Sequence, residues 1–183
     1  MIIKKILIIV LLLSQFAAFS QNLTVLDSKY GFKDFKFGNN TLPYKNYKLI
    51  GDKDHEIILF KKITDSIGDI PIKYAYLYFI DSSLSKIEIV VDSNIRYQSN
   101  LLLALEAVYG GPTSYFYMPE LFNSKSYRWK GNIVELEYDV WDDKVYYDSG
   151  PVYKEWLTLT YSLISYDELL KQARKKSYNV DDF

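Results

Sequence analysis

The 183-residue chain contains no cysteine and only one histidine, His55. Without cysteine there is no disulfide, no thiolate nucleophile and no thiol to carry the lipid of a bacterial lipoprotein. With only one histidine and no cysteine, the common zinc sites are excluded as well. Packing and hydrogen bonding must therefore hold the fold. An excess of one charge is also lacking, since 22 basic side chains nearly balance 23 acidic ones. The net charge of −1 gives no general attraction to nucleic acid or to an anionic membrane surface. The one basic cluster, Lys171, Arg174, Lys175 and Lys176, falls at the end of a predicted helix, where cations meet the negative end of the helix dipole. The apolar run at residues 6–13 is far short of the roughly 20 residues that a bilayer-spanning helix needs.

What the first twenty residues do have is the pattern of a secretory signal. Lys4 and Lys5 precede the aliphatic run, and Ala18-Phe19-Ser20 offers small residues to a signal peptidase. The expectation is cleavage after Ser20, a mature chain starting at Gln21 without a membrane anchor, and export to the periplasm or beyond. Residues 21–183 then suit one domain with one core.

Alternation of apolar and polar residues predicts a meander of short strands over 31–38, 44–50, 56–63, 72–80 and 84–91. Turn clusters separate them, among them Gly51-Asp52-Lys53-Asp54 and Asp81-Ser82-Ser83. In the first segment Phe32, Phe35 and Phe37 are expected on one face of a strand. Tyr74, Tyr76 and Tyr78 alternate with Ala75, Leu77 and Phe79, as in a central strand covered on both sides. A helix is predicted over 95–109, with Leu101, Leu102, Leu105, Val108 and Tyr109 as its buried stripe and Gly110-Gly111-Pro112 as its stop. Strands at 125–130 and 133–141 flank a turn at Gly131-Asn132. A polar loop follows over 142–151, and a last strand covers 155–164. Ser165 and Glu168 form a capping box that opens a second helix over 166–175, and the tail 177–183 has no periodicity. The fold class is thus α+β, a single antiparallel sheet with two helices packed on it.

Few residues invite a catalytic reading. His55, between Asp54 and Glu56, is expected to be an ordinary surface histidine. Ser83-Leu84-Ser85-Lys86 matches the S-x-x-K pattern of penicillin-binding enzymes, but it lies in a strand–turn–strand context and no S-D-N or K-T-G follows. Acidic pairs are numerous, among them Glu135 and Glu137 on one strand face, and two such carboxylates could serve a glycosidase. Asp142, Asp143 and Asp148 fit no EF-hand spacing, so a solvated loop is expected there and no cofactor or metal. Eighteen tyrosines and three tryptophans are the remaining oddity. Most tyrosines suit half-buried strand positions, whereas Tyr115, Phe116 and Tyr117, with Tyr146 and Tyr147, fall in predicted loops. These five are the candidate contact residues for an envelope protein or a glycan.

Two resemblances bear on this reading. The lysine-, isoleucine-, asparagine- and tyrosine-rich composition and the Phe19-Ser20-Gln21 exit resemble small exported proteins of Bacteroidetes, and Asp65-Ser66-Ile67 resembles their O-glycosylation signal. Leu101 through Tyr109-Gly110-Gly111-Pro112, then Tyr127-Arg128-Trp129 and Gly131, resemble the helix, turn and hairpin succession of the BamE outer-membrane assembly lipoproteins and the β-lactamase-inhibitor-like folds. Phe37-Gly38 then reads as a degenerate partner of Tyr109-Gly110, implying two half-repeats. The lipid-bearing cysteine of those lipoproteins is absent here. The functional expectation is a non-enzymatic binding or accessory protein of the bacterial envelope, with a small carboxylate-dependent glycan hydrolase as the alternative. An eight-stranded outer-membrane barrel is disfavoured by the two capped helices.

Overall fold

The computed structural model describes residues 23–53, 55–93, 95–118, 124–147 and 150–177. The signal segment and Asp148 lie outside the described residues. In chain order the elements begin with α1 (Leu23–Lys29), a two-strand hairpin β1 (Gly31–Phe32) and β2 (Phe35–Lys36), and a 3₁₀ turn at Leu42–Tyr44. There follow β3 (Lys48–Lys53), β4 (Glu56–Lys62), β5 (Ser66–Ile67), β6 (Ile70–Ile80) and β7 (Ser83–Val91). Helix α2 (Ile95–Tyr109) leads to β8 (Ser114–Met118), β9 (Ser124–Lys130), β10 (Val134–Tyr147), β11 (Gly150–Leu163) and α3 (Tyr166–Ser177).

The architecture is α+β, built on one large antiparallel sheet of order β3-β4-β6-β7-β11-β10-β9-β8, with β5 paired to β6. Two meanders thus lie side by side, β3-β4-β6-β7 and β8-β9-β10-β11, joined where β7 pairs β11. Strand β6 is internal, as its alternation predicts. Among the described residues the order runs from β3 to β8 without closing, so the sheet is open. Helix α2 carries the chain from the central β7 to the outer β8.

One face of the sheet makes the core. Ala75, Leu77 and Phe79 of β6, Ile87 and Ile89 of β7, Leu157 and Leu159 of β11 and Leu136 of β10 are buried in one cluster with Leu26 of α1 and Leu101, Leu105 and Tyr109 of α2. Phe32, Phe35, Phe37 and Tyr44 complete it, with Phe32 packed on Tyr161 and Tyr44 on Phe79. Helix α2 ends as predicted. Gly110 takes φ +78, its N–H donates to the Glu106 carbonyl, and its own carbonyl accepts from the buried Trp129 indole at 2.7 Å.

Several expectations need correction. Residues 31–38 form a tight hairpin and not one strand: Phe32 pairs with Phe35 across Lys33 at φ +49, so the three phenylalanines reach the core through a turn. Pro43 sets a 3₁₀ turn where a strand was expected from residue 44, and β3 starts at Lys48. Gly51 sits at a register shift inside β3, so the strand continues to Lys53, which pairs with Glu56, and His55 takes φ +69. The turn near Gly131 is shifted by one, since Gly131 and Val134 are bonded across Asn132-Ile133. Helix α1 carried no sequence signal strong enough to be expected. Val108 is 40% exposed: Leu101, Leu105 and Tyr109, at i, i+4 and i+8, point inward and leave it at the side.

Of the polar loop expected over 142–151, the described residues 142–147 and 150–151 are instead strand. Strands β10 and β11 continue as a two-stranded ribbon, in which Asp143 pairs with Lys154 and Val145 with Val152. Their neighbours stop earlier, β9 at Lys125 opposite Val140 and β7 at Val91 opposite Leu157. The ribbon therefore runs past the sheet, which explains its missing hydrophobic alternation: it has no core face to match.

Candidate functional site

The predicted contact residues do not form one loop patch. Tyr115, Phe116 and Tyr117 lie in β8, an outer strand of the sheet, and they correct the expectation of a loop. Their side chains alternate. Tyr115 pairs with Tyr127 and packs on it with tilted rings at 4.9 Å, and Tyr127 stacks on Tyr138, whose hydroxyl donates to the Gln98 carbonyl of α2. That row belongs to the helix side. Phe116 pairs with Ser126 and faces the other way, under the Arg128 guanidinium at 5.2 Å. All four of Tyr115, Phe116, Tyr117 and Met118 are close to half exposed, at 50, 47, 48 and 49%. Tyr146 and Tyr147 stand opposite Pro151 and Gly150 at the ribbon tip. The base of the ribbon, near Trp141, is level with the end of β8, so the tip positions lie about 17 to 20 Å beyond it at strand spacing.

Phe116 opens onto the second face of the sheet. Across β8, β9, β10 and β11 the register sets Phe116, Ser126, Asp139 and Thr158 in one row, and Arg128, Glu137, Thr160 and Glu88 in the next, reaching β7. Farther along, α3 covers this face: the Tyr166 hydroxyl donates to Glu56, and the Lys86 ammonium lies 3.8 Å from the Tyr78 ring and 4.6 Å from that of Tyr166. Beyond the cover a cavity of about 380 Å³ remains, lined among others by Glu88, Met118, Ser126, Asp139 and Trp141. Trp141 and Trp156 stack at 5.7 Å at the base of the ribbon.

The charges here are arranged unequally. Glu137 accepts from Arg128 Nε at 2.9 Å, from Nη2 at 2.8 Å and from the Ser126 hydroxyl at 2.7 Å. Glu135 is 3.8 Å from the same guanidinium, so the two predicted acids share one counter-ion. Asp139 is the group that departs from ordinary behaviour. Burial and the Glu137 charge push its carboxyl up to about 6, against the Ser126 hydroxyl and Arg128. Nothing in the sequence separates Asp139 from Glu135 or Glu137, because all three occupy alternate positions of one strand.

The remaining motifs separate in the structure. Of the S-x-x-K residues, Ser83 opens β7 opposite Ile80, whereas the Lys86 ammonium lies against the Tyr78 and Tyr166 rings. His55 is exposed in its turn, 3.5 Å from Asp81. Lys171, Arg174 and Lys175 are exposed along α3. Asp142 and Asp143 are ribbon positions, not loop ligands, and among the described residues no group of three metal-binding side chains converges. No helix of the described residues is long and apolar enough to cross a membrane. Comparison of the chain with family models, with curated proteins and with solved structures finds no match.

Proposed function

We propose that this chain is an exported, non-enzymatic binding module of the bacterial envelope that captures an extended polypeptide along β8. The observation that carries the reading is the composition of that outer strand: Ser114-Tyr115-Phe116-Tyr117-Met118 holds no charge and no proline. Outer strands normally carry lysine, proline or a bulge against unwanted pairing. The opposite edge follows that rule, with Lys48, Lys53 and the register shift at Gly51. An unguarded edge offers main-chain hydrogen bonds to an incoming strand, and half-exposed aromatic residues on both of its faces grip alternate side chains. Export rests on Lys4, Lys5 and the aliphatic run of residues 6–13.

The test is a pair of substitutions, Phe116→Lys and Tyr117→Lys. Both positions are exposed, so the melting curve is expected to stay nearly unchanged. Capture of the native partner from envelope extract is expected to be lost, and its binding to wild type is expected to slow amide exchange at residues 114–118. Undiminished capture by the lysine variants, or protection confined elsewhere, would overturn strand addition.

One observation favours the hydrolase as a second reading, with its acid relocated. Asp139 has the raised carboxyl that a general acid requires, next to Glu137 and beside a Trp141-lined cavity. Under that reading Asp139→Asn abolishes glycan turnover; under the binding reading there is no turnover to lose.

A further inference from the structure

Val108 is apolar, belongs to the core-facing half of α2 and is nevertheless exposed; it marks the lip of a second cavity, away from β8. This cleft, about 380 Å³, lies between α2 and the β1-β2 hairpin. Its floor is buried and apolar: Phe32, Leu101, Leu105, Tyr109 and Tyr161. Its charged lining consists of Lys29, Lys33 and Lys36, with no carboxylate. Lys33 is neutralised by Asp65 at 2.5 Å. Lys29 lies over the Tyr109 ring at 5.0 Å, and Lys36 donates to the Lys29 carbonyl at 2.9 Å, so neither ammonium group is paired with a carboxylate among the described residues.

We propose that this cleft binds a free alkyl carboxylate, its chain on Phe32, Leu101 and Leu105 and its head between Lys29 and Lys36. Removing methylenes from water onto an apolar floor is favourable, and a carboxylate held by ammonium groups makes the stronger, charge-assisted kind of hydrogen bond. An acidic peptide would bring amide groups for which this floor has no partners. A volume near the low end of small-molecule pockets suits one chain better than a two-chain lipid. The chain's own apolar segment, residues 6–13, follows Lys4 and Lys5 and brings the wrong sign of charge. The site is independent of the β8 reading.

Dodecanoate titrated into the full chain, with calorimetric detection, tests this. Saturable binding at one site is expected, weaker at high salt, and about tenfold weaker or worse for dodecanol and for the Lys29→Glu/Lys36→Glu double variant. Ala104→Trp fills the lip from an exposed position and is expected to abolish uptake with an unchanged melting curve; should it fail to fold, Val108→Glu replaces it. Any of four results would overturn the proposal. These are no saturable uptake, equal binding by the variant that blocks the lip, dodecanol binding as tightly as dodecanoate, and retention on phosphatidylglycerol vesicles without dodecanoate uptake, which would make the ligand a membrane headgroup.

Discussion

Asp27 shows how much one side chain can hold together. From the seven-residue helix α1 its carboxylate accepts hydrogen bonds from the backbone N–H groups of Asn132 at 2.8 Å and of Ile133 and Val134 at 3.0 Å, closing the β9-β10 turn. Gly131 makes room for it, since a Cβ there would lie 2.3 Å from Asp27 Oδ1. Burial alone would raise this carboxyl, but the three backbone donors outweigh it and hold it below its ordinary 3.8. Asp27→Ala is expected to cost about 1 to 3 kcal/mol at neutral pH, the range for hydrogen bonds to a charged group. A lowered carboxyl stabilises the fold above its unfolded value and ceases to do so as pH falls through the folded one. The difference between wild type and Asp27→Ala in denaturant melts should therefore shrink when pH drops well below 4, while Asp27→Asn, which keeps an acceptor, should lose less at pH 7. A penalty independent of pH would assign Asp27 a packing role alone.

At the scale of elements, α2 shows what periodicity can and cannot tell. Its limits, 95–109, were legible because three turns of apolar spacing end in a glycine that takes positive φ. Which of the five stripe residues are buried was less legible, because a stripe more than 100° wide includes its own margins. Leu105→Ala is accordingly expected to destabilise by about 2 to 5 kcal/mol and Val108→Ala by less than about 1 kcal/mol. Guanidinium melts of the pair check this, and equal losses would place Val108 in the core and close the proposed cleft. The internal strands β4, β6 and β7 were readable as apolar runs between turn clusters, and β9 from the turn beside Gly131. Three segments were not. The β1-β2 hairpin is too short for alternation to distinguish a strand from a turn, the ribbon beyond Val140 has no core to impose alternation, and β8 is apolar on both faces. Tyr115, Phe116 and Tyr117 could be picked out as surface aromatics, but the edge they form depends on strand order. Neighbours such as β7 and β11, some 70 residues apart at Glu88 and Thr160, leave no local trace.

For the molecule as a whole, the opposed carboxylates set the response to pH. Asp27 contributes stability that disappears in acid, below about 4. Asp139 acts in the other direction. Its folded value of about 6 lies above the ordinary 3.8, so between the two the folded chain binds more protons than the unfolded chain, and stability falls as pH rises through that window. Taken by themselves, these two groups make the fold most stable between their titrations, on the acid side of neutrality. Asp139→Asn should remove the alkaline slope. At pH 7 it is expected to be more stable than wild type by on the order of 1 to 2 kcal/mol, a figure reduced for the solvent that Asp139 still meets, and the gain should vanish towards pH 4. Denaturant midpoints measured at intervals from pH 4 to pH 7 decide it, and parallel curves for the two proteins would show that Asp139 is ordinary. Asp139 stands beside Glu137 at an open cavity, so it is the position where the stability effect and the hydrolase reading can be weighed together. Glycan turnover by wild type and by Asp139→Asn should therefore be assayed in the same preparations as their stability, because turnover lost while stability is gained would favour the hydrolase reading.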